Sequence, residues 1–193
     1  MAAIFDLSTY QCTYLPNPLW RVTHSQSQSK QDPVTGDLVA SDSDRKISDK
    51  SSLKQAVEEH FNWGSRRPSC FLSVFKNKEH ARRWAKRRER TIGVVYIHEI
   101  DTNRLPLGTY IFDAASLVTS LGIVHPYSDD ELIFLHRIPS ESLRKAEALA
   151  YAARSFNPDC HYVSELHGWY NSDEECEERN RSDDIIRMIE GEW

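Results

Sequence analysis

Three short apolar segments, each interrupted by one polar side chain of a different kind, constrain the fold of this chain most. Leu19-Trp20-Arg21-Val22 carries a guanidinium, Phe71-Leu72-Ser73-Val74-Phe75 a hydroxyl, and Glu131-Leu132-Ile133-Phe134-Leu135 a carboxylate. Short apolar runs of this kind read as strands. Helical patterns lie between them. Leu53, Ala56, Val57 and His60-Phe61 recur at helical spacing over Leu53 to Trp63, and Gly64 stands where that helix would stop. Asn77 can cap a helix over Lys78 to Arg90 that turns Ala81, Trp84 and Ala85 inward. Asp113 opens a short helix to Leu121, with Gly122 just past its end.

The first strand is expected over Thr13 to Thr23, entered through Pro16 and Pro18, and Ile92 to Asp101 alternates well enough for another. Ser140 reads as the cap of a helix from Glu141 to about Ser155 carrying Leu143, Ala146, Leu149 and Ala150, and a last helix is expected near Asp183 to Glu190. Ser25 to Ser52 holds eight serines in 28 residues and few apolar side chains, so it reads as a mobile loop or a lid. Strands and helices alternate without a regular β-α-β beat, which predicts a mixed α+β fold. The domain is expected over 13–156, followed by an acidic C-terminal extension, 157–193.

At 193 residues, 39% hydrophobic and 27% charged, the chain suits one soluble domain with a real core. No apolar run approaches a membrane span, and Met1-Ala-Ala-Ile-Phe-Asp6 lacks the parts of a secretory signal. A cytoplasmic or nuclear location is expected, with Cys12, Cys70, Cys160 and Cys176 as reduced thiols. The net charge of −5 is unevenly spread: residues 66–90 hold ten Lys or Arg against two acids, and residues 165–193 hold ten acids against three Arg. Such segments attract different partners or one another. Gly-rich phosphate loops and internal repeats are absent from the sequence.

Taken singly, the three polar residues are ambiguous. Arg21 can grip a phosphate with two prongs or pair with a structural carboxylate. Ser73 can face a ligand or satisfy a backbone group, and Glu131 can be plain surface at a strand start. Their order resembles the ADP-ribosyltransferase superfamily, in its Arg–Ser–Glu class of cholera-toxin and heat-labile-enterotoxin A-like enzymes. In that class an aromatic-Arg strand opens the domain, a Ser strand feeds a helix with an alanine-rich inner face, and a catalytic Glu opens a strand ending in a hydrophobic-Pro turn. Here the matching parts are Trp20-Arg21, Phe71-Leu72-Ser73-Val74-Phe75 followed by Glu79-His80-Ala81, and Glu131 with Arg137-Ile138-Pro139. The segments also resemble an uncharacterised group of fungal ADP-ribosyltransferase-like proteins. The likeness spans about Leu19 to Leu143.

The resemblance implies two small packed β-sheets with flanking helices, and NAD bound as substrate in the cleft. Arg21 would hold the NAD phosphates or the adjoining ribose, Ser73 would brace the nicotinamide-ribose end, and Glu131 would stabilise the ribosyl cation as nicotinamide leaves. Trp20, Phe75 or Phe71 would offer a face to a ring, with Tyr96 and Tyr110 as weaker candidates. His24, three residues past Arg21, reads either as a ligand contact or as loop surface. Two departures stand out. The family's Ser-Thr-Ser motif is Ser73-Val74-Phe75 here, and Asp129 holds the place where many members carry Glu or Gln. Transfer to an unknown protein or nucleic-acid acceptor, NAD hydrolysis, and an inactive interaction module are therefore the functions to separate.

Other signals rank lower. The run Arg82-Arg-Trp-Ala-Lys-Arg-Arg-Glu-Arg90 is either a solvated helix face or a nucleic-acid contact. Cys160-His161, His167 and Cys176 fit no pattern of paired zinc ligands, so no metal is expected. Cys70 with His60 or His80 would make a thiol nucleophile, but a buried inert Cys is the plainer reading. His136 alternates away from Glu131, Ile133 and Leu135, towards solvent or a loop contact.

Overall fold

The computed structural model describes residues 5–62, 67–124 and 130–149. The strands are β1 (Leu19–His24), β2 (Lys30–Gln31), β3 (Leu38–Val39), β4 (Phe71–Phe75), β5 (Val95–Ile100), β6 (Ile111–Asp113), β7 (Glu131–Leu135), β8 (Arg137–Ile138) and β9 (Leu143–Leu149). The helices are α1 (Lys50–Phe61), α2 (Lys78–Ile92) and α3 (Ala114–Leu121). They build an α+β fold of two antiparallel sheets, one ordered β6-β7-β4-β1-β5-β9 and the other β2-β3-β8. The three segments that define the sequence are thus neighbours, β7-β4-β1, in the middle of the larger sheet. Ser73 lies opposite Ile133 and Phe75 opposite Glu131.

Alternation along β4 and β7 divides the core, because successive side chains in a strand point to opposite faces. Phe71 and Ile133 pack with Phe112 against Leu53 and Val57 of α1 and Leu117 of α3. Leu72, Val74, Leu132 and Phe134 pack with Leu19 against Leu38 and Ile138 of the small sheet. Ala81 and Ala85 let α2 lie close on Val22, Val95 and Ile97. Full burial of side chains the size of Leu or Phe stabilises by about 1.5–3 kcal/mol each.

Helix starts follow their caps. Asp49 accepts from the Ser52 amide while the Ser52 hydroxyl meets the Asp49 backbone, so α1 begins at Lys50, earlier than the apolar spacing alone indicates. Asn77 and Asp113 cap α2 and α3 as expected, and Gly122 ends α3 in the left-handed region at φ 62°.

Two expectations are corrected. Within the segment 25–52, read as a mobile loop, Lys30–Gln31 and Leu38–Val39 form the β2–β3 hairpin of the small sheet, and α1 begins at Lys50. The hairpin turn is held by Asp32, whose side chain accepts from the Val34 and Thr35 amides, and by Gly36 at φ 76°; Leu38 and Ala40 are buried. Too few apolar residues mark it in the sequence. The helix expected over Glu141 to Ser155 is, within the described residues, a 3₁₀ turn at Ser140–Ser142 followed by β9. Arg-Lys-Ala-Glu-Ala-Leu has good helix propensity, but pairing with the open edge of β5 overrides it.

Glu59 of α1 ties down the chain before the helix. Its carboxylate accepts from Arg45, Gln55 and Arg67. These bonds, that of Arg45 foremost, hold its pKa at about 2, below the ordinary 4.5. A depressed carboxyl contributes stability above its unfolded pKa and loses it as pH falls through the folded one. Thermal melts should therefore show wild type losing stability between about pH 4.5 and pH 2 more steeply than Glu59→Gln, which is expected to be less stable by about 1–2 kcal/mol at neutral pH.

Candidate functional site

The site begins where the sheet opens. A single residue pair, Trp20 with Phe75, joins β1 to β4. The Arg21 guanidinium enters the opening, Nη1 donating to the Ser73 carbonyl at 2.5 Å and Nη2 to Ser29 Oγ at 2.8 Å. Part of the Arg21 side chain reaches the surface, but Nε is shielded from solvent and has no hydrogen-bond partner among the described residues. Burial pulls the guanidinium down to about 10, and the negative charge of Glu131 opposes that shift. Arg21 therefore stays cationic at neutral pH, within the field of Glu131.

Glu131 opens β7 at 7% exposure. Beside it stands His60, whose Nε2 lies 3.9 Å from Glu131 Oε1. The same Nε2 is 2.9 Å from Ser73 Oγ, and Nδ1 is 2.7 Å from Ser69 Oγ. The rings of Phe61 and Phe71 stand edge-on to the imidazole at 5.1 and 5.6 Å. Apolar rings thus hold a chain of polar groups, Ser69–His60–Ser73, against a buried carboxylate. In this setting a charge interacts more strongly than in water.

Further groups line the β1 side. His98, opposite Arg21, meets Thr23 Oγ1 through Nε2 at 2.8 Å, and burial, helped by Arg21, lowers its pKa. His24 ends β1 with its ring 6.0 Å from that of Trp84; burial, then Arg88 and Arg21, push its pKa down. Phe75 lies 4.7 Å from the His80 ring, and His80 Nδ1 meets Asp130 Oδ2 at 2.9 Å. A separate groove of about 560 Å³, bounded by Ile47, Pro106, Tyr110, Leu135 and His136, lies at the opposite end of β7 from Glu131 and includes none of these groups.

Residues 14–148 match the family model described as Domain of unknown function (DUF7587). The chain belongs to this family. No curated protein matches it. The solved chain named EcPltA is similar at 16% identity, covering 72% of this chain and 78% of that one, with a TM-score of 0.48, a distance at which the likeness carries no argument.

Within this DUF7587 domain, Arg21, Ser73 and Glu131 come together, with Arg21 touching Ser73 through its carbonyl instead of its hydroxyl. Trp20, like Phe75 and Trp84, is partly buried against the cluster of Val22, Ala81, Ala85, Val95 and Ile97. Phe75 and His24 stay partly exposed beside the site. Asp129, the Cys160, His161, His167 and Cys176 set and the expected helix near Asp183 to Glu190 lie outside the described residues. Cys70 is fully buried, which pushes its thiol up to about 11, far from a reactive thiolate. His136 makes a loop contact, its Nε2 2.8 Å from the Arg45 carbonyl. His60 and His98 are the additions. Helical spacing already put His60 beside the inward Phe61, but nothing local announced its partner Ser73, 13 residues on. Among the described residues no three His, Cys, Asp or Glu are arranged to hold a metal, and no helix is long and apolar enough to cross a membrane.

Proposed function

We propose that this domain is an NAD-binding, ADP-ribosyltransferase-like protein that cleaves the nicotinamide–ribose bond and passes ADP-ribose to an acceptor. The observation that carries the reading is the convergence of a buried carboxylate, Glu131, with His60, Ser73 and the desolvated fork of Arg21. In the proposed step the bond from ribose C1′ to the nicotinamide nitrogen breaks and its electron pair leaves with nicotinamide. The positive charge passes to C1′ and the ring oxygen, as in glycoside cleavage. Glu131, fixed in poorly solvated surroundings, stabilises that cation without reorganising. An acceptor nucleophile then bonds to C1′ and releases its proton; water in the same place makes the reaction hydrolysis. Arg21 supplies cationic donors for the pyrophosphate through the remaining N–H groups of its two terminal nitrogens.

One feature favours a second reading, an inactive fold used for interaction: each terminal nitrogen of Arg21 already donates one hydrogen bond within the domain, to the Ser73 carbonyl and to Ser29 Oγ, as a structural clamp would. Incubation with NAD labelled in the adenosine and in the nicotinamide separates the two. Activity predicts nicotinamide release, with labelled acceptor or free ADP-ribose. An inactive fold predicts neither. His60→Ala is expected to lower release roughly 10- to 100-fold by freeing the Ser73 hydroxyl, with NAD affinity changed less than release.

A further inference from the structure

Helix α2, KEHARRWAKRRERTI, is dense in cations, and some of them bind it to the sheet. Lys78 and Arg82 reach Glu147 on β9, Arg82 also meets Glu79, and Arg88 lies with its guanidinium 5.1 Å over the Trp84 ring. Those cations hold the helix on the sheet. Arg83, Lys86 and Arg87 are exposed. Their spacing puts them on one face of the helix. Arg83 and Lys86 meet no acid among the described residues.

This basic face is joined to the candidate site by rings. Trp84 stacks near His24 at 6.0 Å and tilts against Phe75 at 6.4 Å, and Phe75 touches His80 at 4.7 Å. Phe75 in turn lies opposite Glu131 across the β4–β7 pair. His24, Phe75, His80 and Trp84 each keep part of their surface open. A row of cations that follows a backbone, beside partly open rings on which bases can stack, matches the needs of single-stranded nucleic acid. An acidic peptide would use the charge and leave the rings idle.

We propose that the exposed face of α2, with the Trp84–Phe75 rings beside it, binds single-stranded nucleic acid and leads it to Glu131 as the acceptor. This deepens the NAD reading above and rests on it for the acceptor role, while the binding itself does not. The probe is a fluorescent single-stranded 20-mer of mixed sequence, titrated with the full chain by anisotropy over a range of salt. The controls are a duplex of the same sequence and poly-glutamate.

Saturable binding of the single strand is expected, with poly-glutamate at least tenfold weaker. The double variant Arg83→Gln/Lys86→Gln is expected to weaken it roughly tenfold and to flatten the slope of log K against log salt by about 1.4, at about 0.7 per phosphate neutralised. NAD affinity, read by calorimetry, should be unchanged in that variant. With NAD present the wild-type protein should label the oligonucleotide and Glu131→Gln should not. No saturable binding at low salt, equal binding of poly-glutamate, or an unchanged salt slope in the double variant would overturn the surface assignment while leaving the NAD reading intact. Oligonucleotide binding without NAD binding would support the surface and remove the acceptor role together with the NAD reading.

Discussion

Replacing Glu131 by Gln is expected to cut nicotinamide release from NAD about a thousandfold, close to 4 kcal/mol of barrier, while NAD affinity changes less than threefold. The two side chains have nearly the same shape, so the packing around β7 should hold. What is lost is the negative charge. At 7% exposure the carboxylate has little water to screen it, and its charge is felt at Arg21. A cation developing at ribose C1′ would feel it more strongly than intact NAD does, because before the bond breaks the positive charge is spread over the nicotinamide ring, farther from the carboxylate. Losing an interaction that is stronger in the transition state than in the ground state lowers kcat more than it weakens binding. Single-turnover release at saturating NAD, with calorimetric Kd values for both proteins, reads the two effects apart. Equal release from the variant would remove Glu131 from the chemistry. A parallel loss of affinity would recast it as a binding group.

The parts of this fold that the sequence announced are those in which local chemistry and tertiary structure agree. The apolar runs at Leu19, Phe71 and Glu131 became three adjacent strands, and Asn77 and Asp113 capped helices as their side chains allow. The failures are places where a distant partner decides. β9 is written in helix-forming residues and is a strand because β5 needed an edge partner. The β2–β3 hairpin rests on two pairs to β3 from β8, about a hundred residues away, and on a turn that Asp32 and Gly36 close. The site follows the same logic. Arg21, Ser73 and Glu131 were legible because each stood alone in apolar company. His60 was hidden because its role is a distance, 2.9 Å to Ser73 Oγ, that no spacing encodes.

Arg21→Lys is expected to lose NAD affinity by roughly 10- to 100-fold and to cost the fold about 1–3 kcal/mol. Both effects follow from the shape of the guanidinium. Its two ends reach the Ser73 carbonyl on β4 and Ser29 Oγ at once. They do so in the gap where β1 and β4 part after the Trp20–Phe75 pair. A single ammonium on a flexible stem cannot span both acceptors and also present further donors to a phosphate. Thermal melts measure the loss of stability and calorimetry with NAD the loss of affinity. Undiminished affinity in a folded Lys variant would show that Arg21 is a structural clamp and no part of the ligand site. Ser29→Ala separates the two roles further. It removes one acceptor from the fork and leaves the strand contact in place, so it should cost under about 1 kcal/mol of stability. Because removing the Ser29 acceptor leaves both Nη2 hydrogens available to a phosphate, that variant should bind NAD at least as tightly as wild type; weaker binding would mean that Ser29 helps hold the ligand instead of competing with it.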